Sequence, residues 1–139
     1  MWYYNDKEFL EEDIADYIGF VYNITNLTNN KQYIGKKLFN FSKILYRKSK
    51  NKRLKVRSDY MTYYGSNDEL NADVKLLGEE NFRRDILRLC KSKSECNYYE
   101  IKEQLKKDVV LFPDLYYNAF IGTKVNRRQL GALCQRTQV

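Results

Sequence analysis

Two short β-type runs joined by a turn-prone stretch constrain this chain more than any other feature. Gly19–Thr25 (GFVYNIT) is β-branched and aromatic, and Gln32–Gly35 (QYIG) is a second run of the same character. Between them, Asn26 to Lys31 is rich in Asn and Thr, whose side chains bond their own backbone and tolerate left-handed φ. The stretch reads as an antiparallel hairpin. Tyr22 and Tyr33 lie eleven positions apart, an interval that a hairpin can fold so that both phenols stand near one another on one face.

The 139 residues suit one domain with a real core, and leave no room for a second folded module. The net charge of +7 is unevenly spread. The first sixteen residues carry six acids against one lysine, whereas Lys36 to Arg57 carries ten lysines or arginines and no acid. Such a cationic block self-repels unless an anion arrives, which points to a polyanion partner, although a lysine-rich run can also be a plain solvated loop. No window approaches a membrane span and the acidic start is unlike a signal peptide, so a cytoplasmic protein is expected. Cys90, Cys96 and Cys134 show no paired spacing and read as small hydrophobes or free thiols. The chain has no histidine, so acid–base chemistry falls to Tyr, Glu, Asp or Lys.

Along the chain, Lys7 to Ile18 can align Phe9, Leu10, Ile14 and Ile18 on one stripe of a helix. This acidic segment reads as a packing element at the domain edge, able also to shield a site or pair with the basic block. Leu38, Phe41, Leu45 and Tyr46 fit a helical turn or two, and Lys52–Arg57 alternates like a strand. A helix opens at Ser66 with Glu69 as a capping box, carries Leu70, Val74 and Leu77, and ends at Gly78. Tyr60, Tyr63 and Tyr64 before it suit either base stacking or core packing. Asn81–Cys90 reads as a third strand. Ser92 and Glu95 cap a second helix running to about Val109 with Tyr98, Ile101, Leu105 and Val109 on its apolar seam. A closing segment reaches Val125, and the basic tail 126–139 has little pattern. The order of elements suits an α+β fold, a small sheet flanked by helices.

Tyr33-Ile34-Gly35, with Phe20-Val21-Tyr22 eleven residues earlier and Gly19 just before it, resembles the paired tripeptides of the GIY-YIG nuclease family. Together with YIGKK, SDY and YYGS, the chain resembles the free-standing, homing-type endonucleases of that family encoded by bacteriophages, over roughly Gly19 to Val125. The resemblance implies a three-stranded antiparallel sheet between helices, with residues 1–18 as a helical extension, 19–125 as the nuclease domain and 126–139 as a tail. It also implies a Mg²⁺- or Mn²⁺-dependent endonuclease acting on DNA. In that reading Tyr22 is the base that deprotonates water and Tyr33 its partner. Glu100 is the metal ligand, with Glu103 as the alternative, and Asn118 holds the last strand or contacts substrate. The family's phosphate-clamping arginine falls on Lys43 here, which leaves Arg53, with Lys36 beside it, as the candidate clamp. With the nuclease domain filling the chain, loose or short sequence specificity is expected. The missing arginine also permits a second class of function, a basic nucleic-acid-binding module that keeps the fold without the chemistry.

Overall fold

The computed structural model describes residues 1–46 and 51–122; Arg47, Cys134 and the tail over 126–139 lie outside the described residues. In chain order the strands are β1 (Trp2–Tyr4), β2 (Lys7–Glu8), β3 (Gly19–Asn26), β4 (Gln32–Leu38), β5 (Asn40–Tyr46), β6 (Asn51–Arg57) and β7 (Phe82–Cys90). Helix α1 (Asp68–Leu77) lies between β6 and β7, and α2 (Lys93–Lys106) follows β7. The fold is α+β, as expected.

The predicted hairpin is β3 and β4, paired so that Tyr22 faces Gly35 and Ile24 faces Tyr33. Strand β7 runs antiparallel along the other side of β3. These three strands are the expected antiparallel sheet, but they are part of a five-stranded mixed sheet in the order β2-β1-β7-β3-β4, with β1 parallel to β7. The helix expected over Lys7–Ile18 is replaced by the β1–β2 hairpin and a single 3-10 turn at Glu11–Ile14.

Asn5 and Asp6 both take positive φ (52° and 63°), the geometry of the two-residue turn that matches strand twist. That turn lets Trp2 extend the sheet and bury its indole against Phe20, at 4.8 Å between ring centroids, and Tyr22, at 5.4 Å. Its Nε1–H donates to the Tyr60 carbonyl at 2.7 Å. Burial of so large an aromatic outweighs the helical periodicity of the residues that follow. Within residues 1–18, Trp2–Tyr4 and Lys7–Glu8 are therefore strands of the sheet, in place of the expected helix.

The helical turns expected after Leu38 are also absent. β5 pairs instead with β6 in a two-stranded ribbon separate from the main sheet, because the alternating β6 sequence needs a strand partner. Helix α1 starts one residue later than expected: Asn67 caps it, accepting from the Leu70 N–H at 2.9 Å, and Gly78 ends it at φ 94°. Ser92 caps α2 as predicted, accepting from the Glu95 N–H at 3.1 Å.

Side chains on the two faces of β3 enter separate cores. Phe20, Tyr22 and Ile24 pack with Trp2, Phe39, Tyr60, Leu70 and Val74 on the α1 side. Val21 and Ile34 pack with Cys90, Cys96 and Val109 on the α2 side. Cys90 and Cys96 are buried and unbridged, as small hydrophobes should be. Among the described residues no helix is long and apolar enough to cross a membrane.

The apolar seam expected on α2 is a correction. Tyr98 and Leu105 are exposed, at 38% and 57%, whereas Cys96 and Gln104 are the buried residues of the helix. Cys96, Glu100 and Gln104 fall at i, i+4 and i+8, so the inward line of the helix is polar at its centre. Helix α2 covers the sheet beside the β4 edge, where backbone groups need polar partners.

Candidate active site

Strand β4 is the edge of the main sheet, and its outer backbone groups are closed by residues from far along the chain. Gln32 N–H donates to the Leu115 carbonyl at 2.9 Å and Tyr117 N–H donates to Gln32 at 2.8 Å. One step further, Asn118 takes over with its side chain. Its Oδ1 accepts from the Ile34 N–H at 3.0 Å and its Nδ2 donates to the Ile34 carbonyl at 2.8 Å. Gln104 Nε2 donates to the same carbonyl at 3.0 Å. Asn118 thus acts as an extra ladder peptide, one of the two roles open to it from the sequence. Gln104, unnoticed in the sequence, shares the task.

Around this edge opens a cleft of about 440 Å³ whose walls include Tyr33, Lys36, Ser66, Glu69, Glu100, Gln104 and Asn118. Tyr33 comes from the α1 face of β4 and Lys36 from the α2 face, and they meet past the strand edge. The Tyr33 hydroxyl bonds the Ser66 hydroxyl at 3.1 Å, and the Lys36 ammonium donates to Asn97 Oδ1. Glu69 is drawn into an ion pair with Lys31 at 2.9 Å. Of the residues singled out in the sequence, Tyr33, Lys36, Glu100 and Asn118 line this one cleft. Glu103, the alternative metal ligand, is not among the residues lining the cleft.

Tyr22 stands behind this wall. Its ring centroid is 6.2 Å from that of Tyr33 and 6.0 Å from that of Tyr63, which meets it edge-on at 88°. The side chain is fully buried, and its hydroxyl has no hydrogen-bond partner of normal geometry. The phenol crosses over Gly35: a Cβ there would lie 2.5 Å from the Tyr22 hydroxyl and 3.0 Å from the Tyr33 ring, which explains the glycine of the YIG tripeptide. Burial pushes the Tyr22 pKa well above the usual phenol value, and Tyr63, Tyr33 and Glu100 raise it further. Tyr22 is therefore neutral at physiological pH and sealed from water. In this arrangement the hydroxyl does not open on the cleft, and Tyr33 is the member of the pair that borders it.

Tyr33 is only half-buried and borders the cleft; burial raises its pKa, while the Ser66 hydroxyl opposes the shift.

The Tyr60–Gly65 loop that backs the tyrosines is held by Arg84, whose charge beside the hairpin is legible in the sequence but whose burial is not. Its guanidinium donates to the Met61 carbonyl at 3.1 Å and the Tyr63 carbonyl at 2.8 Å, and lies between the Trp2 and Tyr64 rings at 4.6 and 4.2 Å. Tyr60 is core, Tyr63 packs on Tyr22, and Tyr64 lies against Arg84, so packing is the role the structure gives these three tyrosines. The Lys37 ammonium sits 4.0 Å above the Tyr63 ring and pairs with Asp59 at 2.6 Å.

Arg53 does not reach the cleft. It lies on β6 and lines a different groove, with Leu38, Phe41 and Lys93. Its separation follows from β5 and β6 forming their own ribbon instead of a loop that folds back over β4. Among the described residues, the cation lining the Tyr33–Glu100 cleft is Lys36.

The oxygen donors on the cleft lining are of the kind that a hard cation takes. Among the described residues no cluster of three or more His, Cys, Asp or Glu could cage a metal, and the described thiols are buried in the core. The carboxylates on the lining are Asp68, Glu69 and Glu100, with Glu69 paired to Lys31, and Glu100 in a cleft of hydroxyl and amide oxygens fits a cation such as Mg²⁺ or Mn²⁺, which binds through one or two carboxylates and completes its shell with water and phosphate.

Residues 2–121 match a family model described as "Putative endonuclease segE, GIY-YIG domain". Comparison with curated proteins and with solved structures gave no match. The family match takes in β1 and β2 as well as the tyrosine hairpin, the Glu100 helix and Asn118, and so spans the whole scaffold of the cleft. The chain belongs to the SegE-type GIY-YIG endonuclease family.

Proposed function

We propose that this protein is a divalent-metal-dependent DNA endonuclease, phage-encoded and of the homing or host-DNA-cutting kind, whose reaction takes place in the cleft between the β4 edge and α2. The observation that carries this reading is the convergence of Tyr33 and Lys36 from β4 with Glu100 from α2 in one solvent-open cleft. Hydrolysis of a phosphodiester needs charge neutralisation at the phosphoryl oxygens, an oriented water and a path for protons. Lys36 is the electrophile of the protein itself, its ammonium positioned by Asn97. Glu100 would hold Mg²⁺ or Mn²⁺, which when bound neutralises phosphoryl charge and lowers the pKa of the attacking water.

Tyr33 and Ser66 present linked hydroxyls that orient the water or a phosphate oxygen and pass protons between solvent and substrate. Tyr22 is a positioning residue: its ring and Gly35 fix the plane and depth of the Tyr33 ring. Asn118 and Gln104 hold the strand carrying Tyr33 and Lys36.

Incubation with supercoiled plasmid and Mg²⁺ tests the assignment. Nicking that falls at least about 100-fold with Glu100→Ala, and falls with Tyr33→Phe and Lys36→Ala, is the expected result. Absence of nicks at high enzyme excess, or nicking indifferent to all three changes, would discard it. Among the described residues no arginine lines the cleft, which favours a second reading, a DNA-binding module without chemistry. That reading requires metal-indifferent, salt-sensitive binding and no cleavage at any metal concentration.

A further inference from the structure

Two further cavities follow the cleft, each sharing lining residues with the one before it. Lys36 borders a second cavity of about 430 Å³ that also contains Lys37, Phe41 and Lys93. Lys93 and Phe41 in turn border a third, of about 420 Å³, between the β5–β6 ribbon and the start of α2, where Arg53, Lys55 and Lys91 join them. Among the described residues, six cations line these two cavities and no carboxylate does. The acids are at the opposite end, where Asp68, Glu69 and Glu100 border the catalytic cleft.

Among the described residues, two of the six cations have carboxylate partners in reach, Lys37 with Asp59 at 2.6 Å and Lys91 with Asp16 at 3.4 Å. Both of those acids are mostly exposed, so the pairs are weak in water and open to exchange for phosphate.

We propose that these cavities form a channel that holds the backbone of one DNA strand running from the scissile phosphate toward the β5–β6 ribbon, so that the enzyme grips its substrate chiefly on one side of the cut. The proposal rests on the endonuclease reading and assigns its substrate path. The charge segregation carries it: a polyanion leaving the cleft meets Lys36, Lys37 and Lys93 in one direction and Asp68 and Glu69 in the other. The step from Glu100 back to Lys93 along α2 covers about 10 Å at 1.5 Å per residue, enough for about three charges at 3.4 Å of axis per strand. Arg53 and Lys55, two residues apart on β6, extend the track by about 7 Å. Exposed Phe41 and Leu54 give this stretch an apolar side suited to sugar and base faces.

The test is the salt dependence of binding to a duplex oligonucleotide, followed by fluorescence anisotropy without metal, for wild type and two variants of equal charge. One replaces Arg53, Lys55, Lys91 and Lys93 by Ala, and the other replaces the exposed Lys7, Lys75, Lys106 and Lys107 by Ala. Circular dichroism confirms that both are folded. The channel variant should lose about 3 to 4 from the slope of log K against log salt, at about 0.9 per phosphate contact, and the control less than about 1. Equal losses in the two variants would overturn the channel. Nicking by wild type with equal slopes removes the channel and leaves the endonuclease. A channel-specific slope without nicking removes the endonuclease and leaves a DNA track.

Discussion

Tyr22→Phe separates a sealed phenol from a reactive one. In the folded chain the Tyr22 hydroxyl is fully buried and makes no hydrogen bond of normal geometry, the Tyr63 phenol acting on it from nearby, while the ring makes edge contacts with Trp2 and Tyr63 that phenylalanine would keep. An unsatisfied buried polar group costs about 1–3 kcal/mol, and removing one oxygen forfeits a few van der Waals contacts, so a net stabilisation of about 1–2 kcal/mol is expected at pH 7.

The pH dependence is distinctive. Because the folded-state pKa is raised, the neutral phenol favours folding below about pH 10, and this contribution is lost as pH rises through the range in which the unfolded phenol ionises first. The advantage of Phe should therefore be flat below about pH 9 and grow by up to about 1.4 kcal/mol per unit above pH 10. Urea denaturation of both proteins from pH 7 to 11 measures it. Destabilisation by 1 kcal/mol or more at pH 7 would mean that the hydroxyl is bonded, and would refute the sealed-phenol account.

Gly35→Ala should cost about 1–3 kcal/mol by thermal melts, because its methyl group meets the Tyr22 phenol at 2.5 Å and Tyr22→Phe should recover part of that loss. Asn118→Ala removes both bonds to Ile34 and should destabilise by about 1–3 kcal/mol, with faster amide exchange at Ile34 as the specific sign. Arg84→Met should cost about 2–4 kcal/mol and loosen the Tyr60–Gly65 loop, seen as increased protease cleavage there. Tyr60 and Tyr117, each pushed up to about 12, should add to the loss of stability above pH 10, since both are held neutral when folded.

The sequence revealed the parts of this molecule whose signals are local. Asn- and Thr-rich turn residues announced the β3–β4 hairpin, Ser92 and Gly78 marked helix ends, and the tyrosine interval placed both rings on one face. What escaped was decided by distant partners. The turn at Asn5–Asp6 was readable, but the worth of β1 depends on a pocket for Trp2 built from β3 and Tyr60. The α2 seam failed because an apolar stripe normally faces inward, whereas here the β4 edge requires Gln104, and the cleft takes Glu100. A carboxylate on the polar line of an amphipathic helix is usually a solvated one. Glu100 became legible only through the family resemblance, and Lys36 only through its place after the YIG glycine. The depth of Tyr22 had no local signal, since strand alternation gives a face and not a distance from water.

Anomalous diffraction from crystals of the protein soaked with Mn²⁺ in the presence of a DNA duplex tests the central claim most directly. The account predicts one metal peak about 2.1 Å from a carboxylate oxygen of Glu100, with a phosphate between it and the Lys36 ammonium and the Tyr33 hydroxyl facing the same space. A metal peak away from Glu100, or DNA seated with the Tyr33–Glu100 cleft facing open solvent, would contradict it.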